Sequence, residues 1–577
     1  MNVVATAGHV DHGKSTLVKA LTGIDPDRFT EEKARGLTID LGFTSTTLPS
    51  GKLLSIIDVP GHIRFIKNML AGVGTVGACL FVVAATEGWK PQSEEHLRIL
   101  ELLGIKHGII ALTKSAIAES DLIELASVEI LEKVSGTFLD GVPIVVTDAL
   151  TGLGIDDLIK KIDTLLLSTQ SSSNRTRPRL WIDRVFAAKG AGTVVTGTLT
   201  GGSLQIGDEI EIYPAGIKAR IRMLQNHYQE VEKISGGARC ALNLVGVSHS
   251  EIKRGDVLIR PSQWHLTTVA DASLQILDRL DHSVSRRGAH VIYIGSGEYP
   301  IQMRILGPEV LEPGQEGAVR LFLPCSLPML PGDRFILRES GRSETLGGGS
   351  ILDVDPQERA SRAQPNLSID RVIRERGWID AKELERLTGE HRDPNVRNWV
   401  VDPTVLKSTT SELQKKIEEA GPLGVELSSL NDHQKAVAEL LDGTTIEGGR
   451  IVIANMPDPF INHPFVATLE AFPFSPPNSD HIDRAELREL VKRKQIIEES
   501  GVFFAASAVE KAGHLAAVLL DEKPKGFTVS EFRDKAANTR KHAIPLLALL
   551  DSVGVTRRRG DLRIAGPRLP VTGDQID

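Results

Sequence analysis

Short apolar runs at positions 3–7, 53–57, 80–84, 108–112 and 143–146 punctuate the first 167 residues, with amphipathic helical stretches between them. That alternation predicts a mostly parallel sheet with helices on both faces. The next eleven positions, 168–178, are polar and lack the side chains needed to pack, so they are expected to form a flexible linker. From 179 to 262 the texture becomes short strands separated by glycine turns, as at 192–198 and 207–212. A second all-β block follows at 263–355, with strands at 318–323 and 334–338, and two small β-barrels are the natural reading. A charged linker at 356–366 leads into 367–577, where short helices repeatedly end in brief strand pairs. Segments beginning near Ile369, Arg484 and Phe527 share a helix–helix–turn–strand order. Three or four winged-helix modules of about 50–60 residues fit there, the terminal one at about 509–570.

Composition narrows this picture only slightly. A chain of 577 residues has room for several domains of about 100–200 residues with ample core. The three cysteines (Cys79, Cys240, Cys325) are scattered without metal-ligand spacing, which points to small buried hydrophobes in a reducing compartment, the cytoplasm. No signal-peptide pattern precedes the first run, and the longest apolar stretch, 78–85, is too short for a bilayer. No membrane association and a monomeric state are expected. A net charge of −8 argues against general coating of nucleic acid but leaves room for a local basic patch.

The chemistry lies in two motifs. Gly8-His9-Val10-Asp11-His12-Gly13-Lys14-Ser15 fits the phosphate-loop pattern and sits between a predicted strand and a predicted helix. Its backbone N–H groups, from Asp11 through Thr16, are expected to surround phosphates at the positive end of the helix. Lys14 would reach the β/γ-phosphates, and the Ser15 hydroxyl would ligate Mg²⁺. Fifty residues on, Asp58-Val59-Pro60-Gly61-His62 places an acid, a glycine and a histidine where a γ-phosphate is sensed. Together they predict a nucleoside-triphosphate switch, in an α/β P-loop domain followed by two barrels and tandem winged helices.

With these residues in view, the chain resembles the translation elongation factors and, more narrowly, the bacterial selenocysteine-specific ones. The resemblance spans essentially the whole length. It rests on Glu31-Glu32-Lys33-Ala34-Arg35-Gly36-Leu37-Thr38-Ile39-Asp40-Leu41-Gly42-Phe43, on Asp58–His62, on the 190–197 segment, and on Phe532-Arg533-Asp534 with Thr539–Lys541 and Thr556–Gly560. It implies that Thr38 joins Ser15 on Mg²⁺, that Asp58 holds a metal-bound water, and that the Gly61 N–H touches the γ-phosphate. It further implies that His62 positions the attacking water behind an apolar gate of Val10 and Leu37, and that loss of the γ-phosphate releases both loops.

The same resemblance implies a pocket for selenocysteine built from Asp40, Arg184 and Arg239. Guanidinium groups prefer a selenolate to a serine hydroxyl, and charge-assisted hydrogen bonds of about 1.5–3 kcal/mol each would discriminate between them. The implied cargo is selenocysteinyl-tRNA and the implied docking sites are the ribosome and an mRNA hairpin. Between Asp521 and Arg563, ten Lys/Arg face six Asp/Glu. There Arg533, Arg540, Lys541, Arg557, Arg558 and Arg559 are the candidates for gripping the hairpin.

One element departs from the family pattern. The guanine-selecting Asn/Thr-Lys-x-Asp sequence reads Thr113-Lys114-Ser115-Ala116, and the later Ser-Ala pair reads Asp148-Ala149. An acid is missing from the base pocket of a GTP/GDP site and another stands near it. Thr113, Lys114, Asp148 and Ala149 remain candidate base contacts, and base identity stays open at this level. Two other readings stay open with it. One is an RNA-tethered adaptor whose degenerate nucleotide site binds GTP without selecting or efficiently hydrolysing it. The other is a general elongation or initiation GTPase, which leaves the long C-terminal region without a purpose.

Overall fold

A computed structural model of the chain describes residues 3–27, 38, 40–60, 69, 76–168, 177–188, 192–226, 229–342, 344–454 and 458–571. Leu37, Gly61 and His62 therefore lie outside the described residues, as do 169–176 of the expected linker. Two compact units emerge, Met1–Asp402 and Pro403–Asp577.

The first unit opens with β1 (Val3–Ala7), α1 (Lys14–Thr22), β2 (Gly42–Thr47), β3 (Leu53–Asp58) and β4 (Ala78–Ala84). Then come α2 (Pro91–Leu102), β5 (Gly108–Thr113), α3 (Ser120–Val134), β6 (Ile144–Val146) and α4 (Ile155–Ser168). The strands form one sheet in the order β2-β3-β1-β4-β5-β6, parallel except for the β2–β3 pair. β4 is buried along its whole length, as a strand covered on both faces must be, and this explains its unbroken apolar run. Helices cover both faces, and the loops after β1, β3, β5 and β6 gather at the carboxyl ends of the parallel strands. Open α/β sheets place their ligands there.

Six strands, Arg179–Ala188, Gly192–Thr200, Arg239–Val245, Ile217–Asn226, Glu209–Tyr213 and Val257–Ile259, close into the first barrel through the Glu209–Tyr213/Ile217–Asn226 pairing. The second barrel closes differently. Gly297–Pro300 and Gln302–Leu306 pair with opposite edges of the sheet and are continuous through Ile301, so one bent strand joins both ends. Arg179 links the barrels. Its guanidinium meets both Asp333 oxygens at 2.5 and 2.6 Å and lies 4.8 Å from the Trp264 ring centre.

A small module completes this unit: helix Ile369–Arg376, strand Trp378–Asp380, helix Ala381–Thr388 and strand Trp399–Val401. Its first strand falls between the two helices, so the order differs from the expected helix–helix–turn–strand, because Trp378–Asp380 is the pairing partner of Trp399–Val401 and takes the stretch just ahead of the second helix. Asp380 then caps that helix through the Lys382 and Glu383 N–H groups. The charged 356–366 segment is held in place rather than swinging freely. Arg320 donates to the Glu358 carbonyl at 2.9 Å and Arg371 to the Asn366 carbonyl at 3.4 Å, and just ahead of the segment Arg371 and Arg376 reach Asp353 and Asp355 at 2.7 and 2.9 Å.

The second unit carries three further helix-and-strand modules among its described residues. The first has helices Pro403–Ala420 and Asp432–Ala438 with a three-stranded sheet, and the next has helices Pro464–Ala471 and Arg484–Lys492 with a strand pair. The last runs from helix Ala506–Glu522 through Val529–Lys535 and Arg540–Ser552 to strands Thr556–Arg559 and Leu562–Ala565, with Phe527–Thr528 as its third strand. Thr528 and Glu531 form a reciprocal capping box that starts helix Val529–Lys535. None of the described helices is long and apolar enough to cross a membrane.

Candidate functional site

The phosphate loop leaves β1 through Gly8, whose φ of +130°, and whose position where a Cβ would come within 2.1 Å of the Val82 carbonyl oxygen, exclude any side chain. The Gly8 N–H donates to Nδ1 of buried His96 at 3.1 Å, and the Val10 N–H donates to Gln92 at 3.2 Å, so α2 holds the loop from outside. Burial keeps both adjacent histidines neutral, His96 at about 3 and His12 at about 4. Gly13, at φ +78°, turns the chain into α1. Lys14 is buried and its ammonium donates to the Gly8 and His9 carbonyls at 3.1 and 2.7 Å, with burial lowering its pKa to about 8. Asp11 and Thr16 lie on the exposed rim of the loop.

Ser15, Thr38 and Asp58, far apart in sequence, meet in one cluster. The Ser15 hydroxyl donates to Asp58 Oδ2 at 2.7 Å and lies 2.8 Å from the Thr38 hydroxyl, which donates to Asp27 Oδ1 at 2.9 Å. Three short contacts thus share two hydroxyl protons, with two carboxylates close by. Such an oxygen-only set suits a hard divalent cation like Mg²⁺. Thr6 braces the acid, donating to Asp58 Oδ1 at 2.7 Å while accepting the Val59 N–H. Burial pushes the Asp58 carboxyl above its ordinary pKa, against the pull of Ser15 and Lys14. Thr6, Asp27, Gln92 and His96 carry no motif signal and emerge only in three dimensions.

The loops after β5 and β6 are laced together. Thr113 donates to the His12 carbonyl at 2.7 Å, joining this region to the phosphate loop. Lys114 adopts φ +59° and pairs with Glu87 at 3.1 Å. Ser115 donates through its hydroxyl to the Thr147 carbonyl at 3.0 Å. Asp148 is 4% exposed. Its Oδ1 accepts from the Leu150 N–H, the Thr151 N–H and the Thr151 hydroxyl, while Oδ2 accepts from the Ala116 N–H at 3.3 Å. The Thr151 N–H, with those of Ala116 and Leu150, holds this carboxyl below its ordinary pKa.

Two residues beyond Thr38 the chain reaches the arginine cluster. Asp40 lies 3.9 Å from Arg184 and 3.1 Å from Arg254. Arg184 also donates to the Leu41 carbonyl, and its guanidinium carbon stands 4.5 Å from the Phe43 ring centre. Arg239 approaches the same ring to 3.4 Å. The cluster differs from the expected triad in one respect. Arg239 has its own acid, pairing with buried Asp183 through both nitrogens, one contact at 3.0 Å, and with the Thr196 hydroxyl at 3.2 Å. Burial alone would raise the Asp183 carboxyl, but Arg239 holds it below its ordinary value. Phe43, Arg184, Phe186, Thr196, Gln225 and Arg239 line a cavity of about 350 Å³.

In the terminal module, Arg540, Lys541, Arg557, Arg558 and Arg559 are exposed, and Arg533 is half-buried against Asp534 and Ser530. Thr556 is fully buried, so strand alternation puts Arg557 and Arg559 on the face away from the core and Arg558 on the other. Arg558 donates to the Gly560 carbonyl at 3.2 Å. The basic run is therefore two faces rather than one patch.

Comparison with known proteins follows the domain order. Residues 1–168 match the elongation factor Tu GTP-binding domain, 192–259 elongation factor Tu domain 2, 280–358 the selenocysteine-specific elongation factor β-barrel domain, and 519–565 the elongation factor SelB winged helix. The selenocysteine-specific elongation factor of Desulfomicrobium baculatum is 42% identical over 351 residues, which is 61% of this chain and 55% of that protein. Its Escherichia coli counterpart is 28% identical over 97% of this chain and 98% of its own. A crystal structure of bacterial selenocysteine-specific elongation factor EF-Sec superposes with a TM-score of 0.69 at 29% identity, covering 98% of this chain and 99% of that one. The Methanococcus maripaludis factor SelB bound to the GTP analogue GppNHp gives 0.54 at 27% identity over 62% of this chain and 79% of its own. The chain carries an elongation-factor GTPase domain, two barrels and a SelB winged helix in that order, and over nearly its whole length it is similar to the selenocysteine-specific elongation factors.

Proposed function

We propose that this GTPase carries selenocysteinyl-tRNA to a ribosome paused at a recoded UGA codon, tethered to an mRNA hairpin by its C-terminal winged helices, as a cytoplasmic monomer. The observation that carries the reading is the continuity of residues 38–43. Thr38 touches the Ser15–Asp58 cluster, while Asp40, the Leu41 carbonyl and Phe43 touch the arginines. Nucleotide state and cargo pocket are thus read by one short segment.

Within this cycle Ser15, Thr38 and Asp58 would hold Mg²⁺, which neutralises charge on the β- and γ-phosphates when bound. Lys14 and the loop N–H groups of Asp11, His12, Gly13 and Thr16 orient the triphosphate, and the Gly61 N–H senses its γ end. His62 positions the attacking water behind Val10 and Leu37 once the ribosome docks. Arg184 and Arg239 favour a selenolate over the serine hydroxyl that the same tRNA first carries. Arg533, Arg540, Lys541 and Arg557–Arg559 grip the hairpin.

The pocket is tested through Arg184, since Arg239→Ala would strand buried Asp183 and unsettle the barrel. Arg184→Ala should reduce the preference for selenocysteinyl- over seryl-tRNA by about tenfold or more, the worth of one charge-assisted hydrogen bond. Nucleotide affinity should not change. Equal weakening of both tRNAs would show that Arg184 holds the acceptor stem instead. Ala116 favours a second reading, an RNA-tethered adaptor with little hydrolysis. Phosphate release measured with and without ribosomes separates the two.

A further inference from the structure

The base side of the nucleotide site has lost a carboxylate at Ala116 and gained one at Asp148, and the two positions touch. The Ala116 N–H donates to Asp148 Oδ2 at 3.3 Å, so one oxygen of the acid reaches the backbone of the loop that lacks its own carboxylate. Its other oxygen is filled by three donors of its own turn at 2.9–3.1 Å. A carboxylate oxygen accepts about two bonds comfortably. Oδ1 is therefore spent on the turn, and Oδ2 retains one acceptor direction.

We infer that Asp148 is the specificity-determining residue for the base, and that it reads a purine through a single acceptor rather than the usual pair. This rests on the GTPase reading above. Guanine and hypoxanthine both present a protonated N1, which one carboxylate oxygen can accept. Adenine presents a bare N1 lone pair there, which the same oxygen repels, and meets that oxygen only by shifting to offer its 6-amino group. The guanine 2-amino group, which a carboxylate at position 116 would have met, finds the Ala116 methyl instead. The substrate class is accordingly the 6-oxopurine nucleoside triphosphates, with the 2-amino group contributing little. The acid is buried, fixed by four hydrogen bonds and held in its charged form by backbone N–H donors, so its orientation is set before nucleotide arrives.

The test is competition of GTP, inosine triphosphate and ATP for the full-length protein with Mg²⁺, using displacement of a fluorescent guanosine diphosphate. The unsubstituted protein should bind GTP and inosine triphosphate within about threefold of each other, and ATP at least about tenfold more weakly, the worth of one hydrogen bond to a charged group. Asp148→Asn should weaken both 6-oxopurines and narrow their lead over ATP. The double variant Ala116→Asp with Asp148→Ser returns the acid to the other loop. It should keep GTP binding and open a gap of about tenfold between GTP and inosine triphosphate. If Asp148→Asn leaves the lead over ATP intact, the acid only clamps its turn and the inference is overturned, with the GTPase reading untouched. A GTP preference of tenfold or more over inosine triphosphate in the unsubstituted protein overturns it as well. Preference for ATP in the unsubstituted protein would instead bring down the GTPase reading itself.

Discussion

At the scale of single residues, Lys14 is a group whose charge should depend on whether nucleotide is present. Burial lowers its pKa to about 8, while two backbone carbonyls accept its protons. A bound diphosphate adds negative charge and favours the ammonium, so the pKa of the complex lies higher. At pH 8 the free protein holds Lys14 about half protonated, and binding GDP should take up roughly half a proton. The share of uptake due to Lys14 should vanish near pH 6.5, where the GDP phosphate itself titrates, and above pH 8 affinity should fall towards about tenfold per unit. The sign for folding is opposite to that of a lysine gaining an ion pair. The folded pKa is below the ordinary lysine value of 10.5, so the nucleotide-free protein gains stability as pH rises from about 8 to that value. His12 and His96 titrate near 4 and 3 and do not interfere. Calorimetry of GDP binding in buffers of different ionisation enthalpy measures the uptake. Lys14→Arg, which stays charged, should show none, and an unchanged uptake in that variant would assign the proton elsewhere.

At the scale of elements, the terminal wing shows what a sequence pattern states and what it hides. Arg557-Arg558-Arg559 reads as one basic cluster, but a strand alternates its faces. Arg557 and Arg559 share the outward face, whereas Arg558 turns back over the Gly560 carbonyl. Neutralising Arg557 and Arg559 together should weaken binding of a short RNA hairpin and flatten the logarithmic salt slope by about 1.4–1.8, two phosphate contacts' worth. Arg558→Ala should move the slope by less than either single outward substitution. A filter-binding salt titration decides it, and an unmoved slope in the double variant removes the wing from the RNA grip. The same limit governs the rest of the chain. β1, β3, β4 and β5 were legible because interior strands buried on both faces need unbroken apolar runs, and β6, at the far edge, through its short Ile144-Val145-Val146 run. β2, an edge strand of Gly42-Phe43-Thr44-Ser45-Thr46-Thr47, has a single large apolar residue and gave no such signal. In the arginine cluster, motif position pointed to Asp40, Arg184 and Arg239 but not to Asp183. A register shift between Ile182 and Arg184 lets two successive side chains both serve the pocket side, Asp183 towards Arg239 and Arg184 towards Asp40. Alternation alone would have sent one of them away, and a bulge is not visible in composition. Asp148 lay open for a related reason, since whether an acid reads a base or ties its own turn depends on which oxygen the backbone donors reach.

At the scale of the whole molecule, the chain separates between Asp402 and Pro403. The small module ending at Val401 closes on itself through the Asp402 N–H, which donates to the Gly377 carbonyl at 2.8 Å, and on the rest of its unit through the arginine pairs at Asp353 and Asp355. The second unit has its own core, built on Phe460, Phe465, Phe504, Phe527, Phe532 and the leucines of helix Arg540–Ser552. A unit with its own core and its own satisfied backbone should fold alone. Residues 403–577, expressed separately, should therefore unfold in a cooperative transition and bind the RNA hairpin within a few-fold of the full chain. In the full chain, nucleotide should act on one unit only, because ligand stabilises the folded state that binds it. GDP at a hundred times its Kd should raise the stability of the nucleotide-binding unit by about 2.7 kcal/mol and leave the transition of the second where it is. The hairpin RNA should do the reverse. Denaturant titration with a probe in each unit reads both: tryptophan fluorescence serves the first, where Trp89, Trp181, Trp264, Trp378 and Trp399 all lie, and a dye at a single introduced cysteine serves the second, which has no tryptophan or native cysteine. If GDP shifts both transitions equally, the division at Asp402 is not a thermodynamic one, and the tether and the nucleotide switch must be treated as a single cooperative body.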